Sequence, residues 1–420
     1  MNILVLGQGG REHSLIWAIS QNPKCDKLFA APGNAGMETL AECVTLDPND
    51  GTAVVQFCAE QAIDFVVIGP EAPLAAGVAD DLRAAGILTF GPSKEAARLE
   101  ASKAFTKEIC DACHAPTAAY ARFTSPTDAI AYIKQQGAPI VIKADGLAAG
   151  KGVVVAMDEM QAITSVKDML GGAFGDAGAE VVIEEFMEGE EASFFILSDG
   201  KTALPVGTAQ DHKRAYDGDE GPNTGGMGAY SPAPIMTDAI IERAMATIVQ
   251  PTIDEMAKRG TPYEGVLYAG FMIKDGTPRL VEYNVRFGDP ECQVLMMRLG
   301  AQVLDLLIAT AEKRLDKMNV NWADDHALTV VLAADGYPGS YEKGTAINGV
   351  KDLPETVDLM TFHAGTKIVS DQLVANGGRV LNVTARGSSL QEARDRAYET
   401  IDQIDWPEGF HRKDIGWRAL

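Results

Sequence analysis

Short hydrophobic runs alternate with glycine- and proline-rich loops over the first hundred residues. Residues 2–6 (NILVL), 27–30, 65–68 (FVVI) and 88–90 are too short for helices and carry the mostly apolar character of strands buried on both faces. Each run opens into a loop: Gly7-Gln8-Gly9-Gly10, Ala31-Pro32-Gly33-Asn34, Gly69-Pro70-Glu71 and Gly91-Pro92-Ser93. Helical patterns lie between them, the first over 14–20. The combination predicts an open parallel α/β sheet with its loops at the carboxyl edge, where ligands of such sheets bind.

The pattern then changes. Ser102 is a natural N-cap for a helix opening at Lys103, and Ser125-Pro126 starts another. Strands are predicted at 120–123, 139–145, 153–155 and 181–187. The second and third of these flank a glycine-rich loop, residues 146–152. Strand, loop, strand is a hairpin, whereas a Walker A loop feeds a helix. Residues 210–228 show no apolar periodicity and read as a long irregular segment of the functional kind. A helix follows over 238–258. A hairpin over 267–273 and 279–284 turns at Lys274-Asp275-Gly276, and another helix covers 302–312. Residues 321–325 read as a linker. Strands at 329–332 and 379–384, a hairpin turn at Asn376-Gly377-Gly378 and a helix over 390–401 follow.

Composition narrows the function. Lys+Arg 36 against Asp+Glu 59 gives a net charge of −23, which argues against nucleic acid or an anionic membrane as the main partner. No apolar run approaches the roughly 18 residues of a membrane span. The start, MNILVLGQGGREH, reads as a first strand and not as a signal peptide. The six cysteines (25, 43, 58, 110, 113 and 292) are scattered, without zinc-ligand spacing. Reduced thiols in a cytoplasmic protein are expected.

Candidate chemistry gathers in a few stretches. In VEYNVRFGDPE (281–291), strand alternation puts Glu282 and Asn284 on one face, with Arg286 and Asp289 just beyond. A carboxylate and an amide oxygen side by side are hard donors of the kind Mg²⁺ takes while it also holds phosphate oxygens. Lys143, set in an apolar strand, is a rigidly placed cation beside a loop able to fold over phosphates. Backbone groups at Glu185–Met187 can pair with an adenine edge, although an acidic turn carries the same letters. The turn GQGGREH aims N–H groups at an anion. Its third glycine position holds Glu12, however, and APGNAG stands where a ribose-binding acid would be expected. A phosphate or sugar-phosphate cradle is therefore expected there, not a dinucleotide site.

Together Lys103, Lys143 with Gly150-Lys151-Gly152, Glu184-Glu185-Phe186 and Glu282-x-Asn284 resemble the ATP-grasp fold. The stretches GQGGREH, APGNAG, GPEAPL, FGPS, SKAFTK, IVIKADGLAAGKGV, QDHKRAYDGDEGPNTGGMGAYSP, EYNVRFGDPE and RKDIGWRA resemble the glycinamide ribonucleotide synthetase family along nearly the whole chain. The resemblance implies a Rossmann-like substrate-binding domain (1–102), a two-lobed ATP-grasp core (103–325, with a mobile lobe over about 121–190) and a small α+β domain (326–420). It implies ATP with Mg²⁺ or Mn²⁺, glycine and 5-phosphoribosylamine as the partners, and a monomer or weak homodimer. Lys103, Lys143 and Gly150, Lys151 and Gly152 would hold ATP phosphates. Glu184, Glu185, Phe186 and Met187 would bind ATP, with Glu185 and Met187 meeting adenine through their backbones, and Glu191 would meet the ribose. Glu282 and Asn284 would bind the metal. Gly9, Gly10, Gly33, Asn34 and Glu71 would hold phosphoribosylamine. Asp211, Asn223, Thr224, Gly225, Gly226, Met227, Gly228 and Arg286 would lie near glycine, with Arg286, Lys143 and Asp211 catalytic. Many ATP-grasp enzymes carry a further acidic ligand about twelve residues before the glutamate, where this chain has Tyr268-Ala269-Gly270-Phe271. The rival readings are an ATP-grasp carboxylase on another purine intermediate, a dinucleotide-dependent oxidoreductase and a non-catalytic nucleotide-binding scaffold.

Overall fold

The computed structural model describes residues 1–146, 152–173 and 175–420. Gly150 and Lys151, expected in the phosphate lid, lie outside the described residues.

The N-terminal runs form a five-stranded parallel sheet. From one edge its order is Glu42–Cys43, Lys27–Pro32, Asn2–Gly7, Phe65–Ile68 and Leu88–Phe90. The four expected strands are present, and Glu42–Cys43 is an addition too short to leave a hydrophobic signature. Ile3, Leu4, Val5 and Leu6 are fully buried, because helices cover both faces. A fully buried side chain of this size stabilises by roughly 1.5–3 kcal/mol.

Strands Tyr120–Phe123, Val181–Glu185, Ile140–Ala144 and Val153–Ala156 make an antiparallel four-stranded sheet in that spatial order. Ile140–Ala144 and Val153–Ala156 pair directly, as the strand–loop–strand pattern predicts. Ala129, Ile133, Ala162 and Val166, from the helices Pro126–Gln136 and Glu159–Asp168, fill one face of this sheet.

A nine-stranded sheet occupies the centre. Thr277–Asn284, Glu264–Lys274, Glu190–Asp199, Ala203–Asp211, Gly228–Ser231, His326–Ala334, Arg379–Gly387 and Leu359–His363 follow one another, with Gly409–Phe410 paired to His326–Ala334. The sheet therefore runs without a break from the core into the C-terminal strands, through Gly228–Ser231 against His326–Ala334.

Two sequence expectations need correction. Residues 210–228 are not irregular: they contain the end of Ala203–Asp211, a ribbon of Arg214–Tyr216 and Glu220–Asn223, and the start of Gly228–Ser231. Their polar composition hid these strands, because the ribbon is mostly exposed and needs no apolar alternation. The Asn376-Gly377-Gly378 segment is no hairpin turn; it connects strands of different sheets, and the tight hairpin lies at Ser370-Asp371, both at positive φ. The helix over 238–258 is one helical run with a π-helical stretch at Met245–Val249. No single described helix is long and apolar enough to cross a membrane.

Candidate active site

A cavity of about 420 Å³ opens where the three sheets meet. The hairpin Glu264–Lys274/Thr277–Asn284 delivers its central residues. Register shifts between Gly270↔Glu282 and Phe271↔Leu280, which leaves Val281 as a bulge. The freed Val281 carbonyl accepts from Lys143 Nζ at 3.1 Å, and Glu282 and Asn284 face the cavity together. Opposite Glu282 stands Gly270, so no side chain crowds that carboxylate.

Glu282 accepts no hydrogen bond from a described residue. Burial favours its neutral form, but Lys213, Lys143, Lys103 and Arg286 outweigh that and hold its pKa below the usual carboxylate range. An enclosed, ionised carboxylate with free lone pairs suits a hard cation. Asn284 Oδ1 already accepts from Arg286 Nη2 at 3.1 Å. One carboxylate plus one amide oxygen fits an ion that fills its remaining positions with water and phosphate oxygens.

Lys143 and Lys107 flank Glu184. Lys143 Nζ lies 2.9 Å from one carboxylate oxygen and Lys107 Nζ 3.2 Å from the other, and all three side chains are buried. Lys107 also donates to Thr117 Oγ1 at 2.8 Å. Burial lowers its pKa, with Glu184 opposing and Lys143 reinforcing the shift. Lys103, at the start of the helix Lys103–Cys113, donates to Gly146 O at 3.2 Å. Ser102 Oγ caps that helix through Phe105 N–H, as expected from the sequence, and Asp145 accepts from Ala104 N–H at 3.0 Å.

Arg286 is turned toward the N-terminal domain. It meets Glu100 at 2.8 Å and Glu71 at 3.3 Å, and the second oxygen of Glu100 accepts from Val285 N–H at 2.8 Å. One carboxylate thus pins both the strand end and the guanidinium. Across the cavity, Asp211 and Lys213 leave the strand Ala203–Asp211, and Lys213 pairs with Glu191. Asp211 is enclosed while its carboxylate opens onto the cavity. Burial pushes its pKa up to about 7; Lys213 opposes this, and Glu291 and Glu191 add to it.

The remaining wall comes from Asp289, Tyr337 and Arg379. Arg379 donates to the carbonyls of Gly225 at 2.6 Å and Gly226 at 3.2 Å, and Tyr337 OH accepts from Gly225 N–H at 3.2 Å. Of the residues expected in the site, Lys103, Lys143, Gly152, Glu184, Glu71, Asp211, Thr224, Gly225, Glu282, Asn284 and Arg286 line this cavity. Glu185, Phe186 and Met187 line a second cavity, with Tyr132, Ile140 and Met272. The Glu185 N–H is spent on Ala119 O at 2.9 Å, and its carboxylate accepts from Ala119 N–H at 2.9 Å.

Gly9, Gly10, Gly33 and Asn34 line neither of these cavities. Gly9 N–H donates to Glu12 Oε2 at 2.7 Å. Gly10 is packed under Asn382 and Gln293, and Gly33 sits against Cys43. Asn34 Nδ2 donates to the carbonyls of Gln8 and His363, each at 2.8 Å. Asn223 is exposed at the end of the ribbon, whereas Met227 and Gly228 are buried beside it. Sequence reasoning missed Arg11, Glu100, Lys107, Lys213, Tyr268, Glu291, Tyr337 and Arg379 among the cavity residues. Lys213 and Glu291 stand inside motifs already singled out, so adjacency was an available signal; Arg379 and Tyr337 had none.

Comparison with known proteins identifies the family. Family models described as the N domain, the ATP-grasp (A) domain and the C domain of phosphoribosylglycinamide synthetase match residues 1–100, 101–292 and 327–418. The chain belongs to the phosphoribosylglycinamide synthetase family. It is 60% identical over 420 residues to a phosphoribosylamine–glycine ligase of Agrobacterium fabrum, covering 100% of this chain and 99% of the relative. Its fold is similar to the crystal structure of phosphoribosylamine–glycine ligase from Thermotoga maritima, with a TM-score of 0.87, 32% identity, and 99% and 100% coverage. The biotin carboxylase domain of Hydrogenobacter thermophilus 2-oxoglutarate carboxylase shares the fold, with a TM-score of 0.74, 15% identity, and 98% and 91% coverage. The chain is thus built on the ATP-grasp fold expected from the sequence.

Proposed function

We propose that the protein is an ATP-dependent phosphoribosylamine–glycine ligase. It joins glycine to 5-phosphoribosylamine and releases glycinamide ribonucleotide, ADP and phosphate, a step of purine biosynthesis. The observation that carries this reading is a cavity in which Glu282, unpaired among the described residues, is ringed by Lys103, Lys143, Lys213 and Arg286. Such a ring suits a polyphosphate whose charge is redistributed during transfer.

Glycine's carboxylate attacks the γ-phosphate of ATP, forming glycyl phosphate as ADP leaves. Lys143 and Lys103 hold the phosphates, and Lys213 spreads the developing charge. Asp211 accepts the ammonium of glycine. The amine of phosphoribosylamine then attacks the glycyl carbonyl, phosphate departs, and the amine gives up a proton to a carboxylate lining the cavity. Positioning and electrostatics suffice, and no covalent enzyme intermediate is needed. Glu282 and Asn284 would hold Mg²⁺ or Mn²⁺, which neutralises charge on the phosphate oxygens when bound. The wall of Arg379, Tyr337, Asp289 and Arg11 faces phosphoribosylamine, with Arg379 and Arg11 supplying charge for its phosphate. Adenine lies along Glu185–Met187 in the neighbouring cavity. The cytoplasmic setting and the monomeric or weakly dimeric state belong to this proposal, the latter checked by light scattering.

The test is ADP release by the purified protein with Mg²⁺-ATP, glycine and phosphoribosylamine generated in situ from ribose 5-phosphate and ammonia. Omitting any one substrate is expected to stop turnover, as is chelation of the metal, and substitution of Mn²⁺ measures the metal preference. Release that needs bicarbonate and not glycine would replace the ligase by a carboxylase.

A further inference from the structure

The stretch RKDIGWR, at 412–418, has no part in the chemistry above. It lies against residues 211–219 in an ordered way. Arg412 Nη1 donates to Arg214 O at 3.1 Å, Gly416 N–H donates to His212 Nε2 at 3.3 Å, and Arg418 Nη1 lies 3.5 Å from Asp211 O. Residues 412, 416 and 418 thus meet 214, 212 and 211, so the tail runs antiparallel to the segment that enters the cavity. Side chains along that segment alternate: Asp211 and Lys213 line the cavity, and His212 between them is fully buried against the tail.

The contacts form a closed ionic network. The Arg412 side chain is fully buried and grips Asp414 with two bonds, at 2.7 and 2.8 Å, and Asp219 at 2.9 Å. Asp414 also accepts from Gly218 N–H, and Asp217 from Lys413 N–H, both at 2.8 Å. Asp219 pairs in addition with Arg418. The tail is itself fastened to the helix Leu390–Ile401: Tyr398 OH donates to Arg412 O at 2.7 Å, and Arg394 Nη2 to Lys413 O at 2.8 Å. A two-stranded ribbon such as Arg214–Tyr216/Glu220–Asn223 has little stability of its own. Its placement comes from this network.

We propose that the C-terminal tail, through Arg412, Asp414, Gly416 and Arg418, is a positioning element that sets the register of residues 211–214 and aims Asp211 and Lys213 into the cavity. The amino-acid substrate so positioned rests on the ligase reading, with glycine held at Asp211. A one-residue slip of this segment would turn His212 toward the cavity and carry both charged side chains away from it.

The test uses the full chain with Asp219→Asn and Arg418→Gln, which loosen the network without leaving Arg412 unpaired; Arg412→Met serves as the severe variant. Two readouts are needed. Hydrogen exchange on the ligand-free protein should show amides of 211–219 opening about tenfold faster, with the central sheet unchanged. Steady-state kinetics should show kcat/KM for glycine falling about tenfold, through a raised glycine KM at Asp211 and a lowered kcat at Lys213, while KM for ATP stays within about twofold. Arg418→Lys should restore part of the glycine KM. Unchanged exchange overturns the clamp. Faster exchange with an unchanged kcat/KM for glycine, or an equal rise in KM for ATP, overturns the positioning role. If the wild-type enzyme needs no glycine, the ligase reading has failed, and the exchange result alone decides the clamp.

Discussion

Two stretches of this chain look alike as ligand sites in sequence and differ in what they do with their polar groups. The glycine-rich turn Gly7–His13 follows a buried strand and opens a helix, with N–H groups gathered for an anion. It is filled by its own chain. Glu12 folds back so that Gly9 N–H meets its Oε2, and Arg11 pairs with its Oε1. A Cβ at Gly7 would lie 2.4 Å from Glu12 Cγ, and one at Gly69 2.2 Å from its Oε1. The strand end at Glu282–Asp289 keeps its carboxylate open instead. Glu282 has cations around it and no donor among the described residues, because the nearest lysines are engaged by Glu184, Glu191 and Val281 O. The open carboxylate is poised for a cation, whereas the Gly9 N–H of the turn is already paired within its own chain. This is the physical reason for setting aside a dinucleotide reading.

The sharpest way to break the comparison is to remove the open carboxylate. Glu282→Ala is expected to lower ADP formation by about 10³-fold, on the scale of losing one preorganised electrostatic contact in a site. Folding stability should fall modestly, since the cations that hold the Glu282 pKa down lose their counter-charge; thermal melts read this alongside turnover. At the self-filled turn the outcome should invert. Glu12→Ala leaves Arg11 buried without its partner, which costs about 3–5 kcal/mol. Denaturant unfolding should report that loss, with the residual folded fraction keeping its metal dependence.

Asp211 adds a pH test. Its folded pKa, pushed up to about 7 by burial, lies above its unfolded value near 3.8. Its contribution to stability is therefore fully present below about pH 4 and is lost as pH rises through about 7, since the folded state then holds the extra proton. Asp211→Asn should flatten stability between those limits by at least about 1 kcal/mol, at about 1.4 kcal/mol per unit of pKa difference. The acid limb of kcat/KM for glycine, near pH 7 in the wild type, should vanish in the same variant. The smallest effect is expected at Lys107, which supports Glu184 and through it Lys143 without lining the cavity as a free cation. Lys107→Met should raise KM for ATP about tenfold and leave KM for glycine nearly unchanged; an equal rise in both would assign Lys107 to folding alone.

Most of the fold was legible. Short, mostly apolar runs marked four of the five parallel strands, and the Lys274-Asp275-Gly276 turn marked the central hairpin. The helix Leu390–Ile401 was bounded correctly, with Ser389 capping it through Glu392 N–H. The site was legible where its residues share one strand or one turn, as with Glu282, Asn284 and Arg286. It was not legible where a residue acts from afar: Glu100 reaches Arg286 across 186 positions and Arg379 reaches Gly225 across 154. The ribbon at 214–223 was missed because exposed strands need not alternate in hydrophobicity.

Residue type and local order by themselves determined the element types, the paired oxygen donors of Glu282 and Asn284, the cations at Lys103 and Lys143, and the family. Backbone sterics and strand alternation act over a few residues, so a single chain already contains that information. Tertiary structure alone decided which polar groups are spent and which are free. Glu12 was closed onto Gly9, Glu184 was shared by two lysines, and the tail at 412–418 was laid along 211–214. Those outcomes depend on desolvation and on partners distant in sequence, and both come into being only when the sheets pack together.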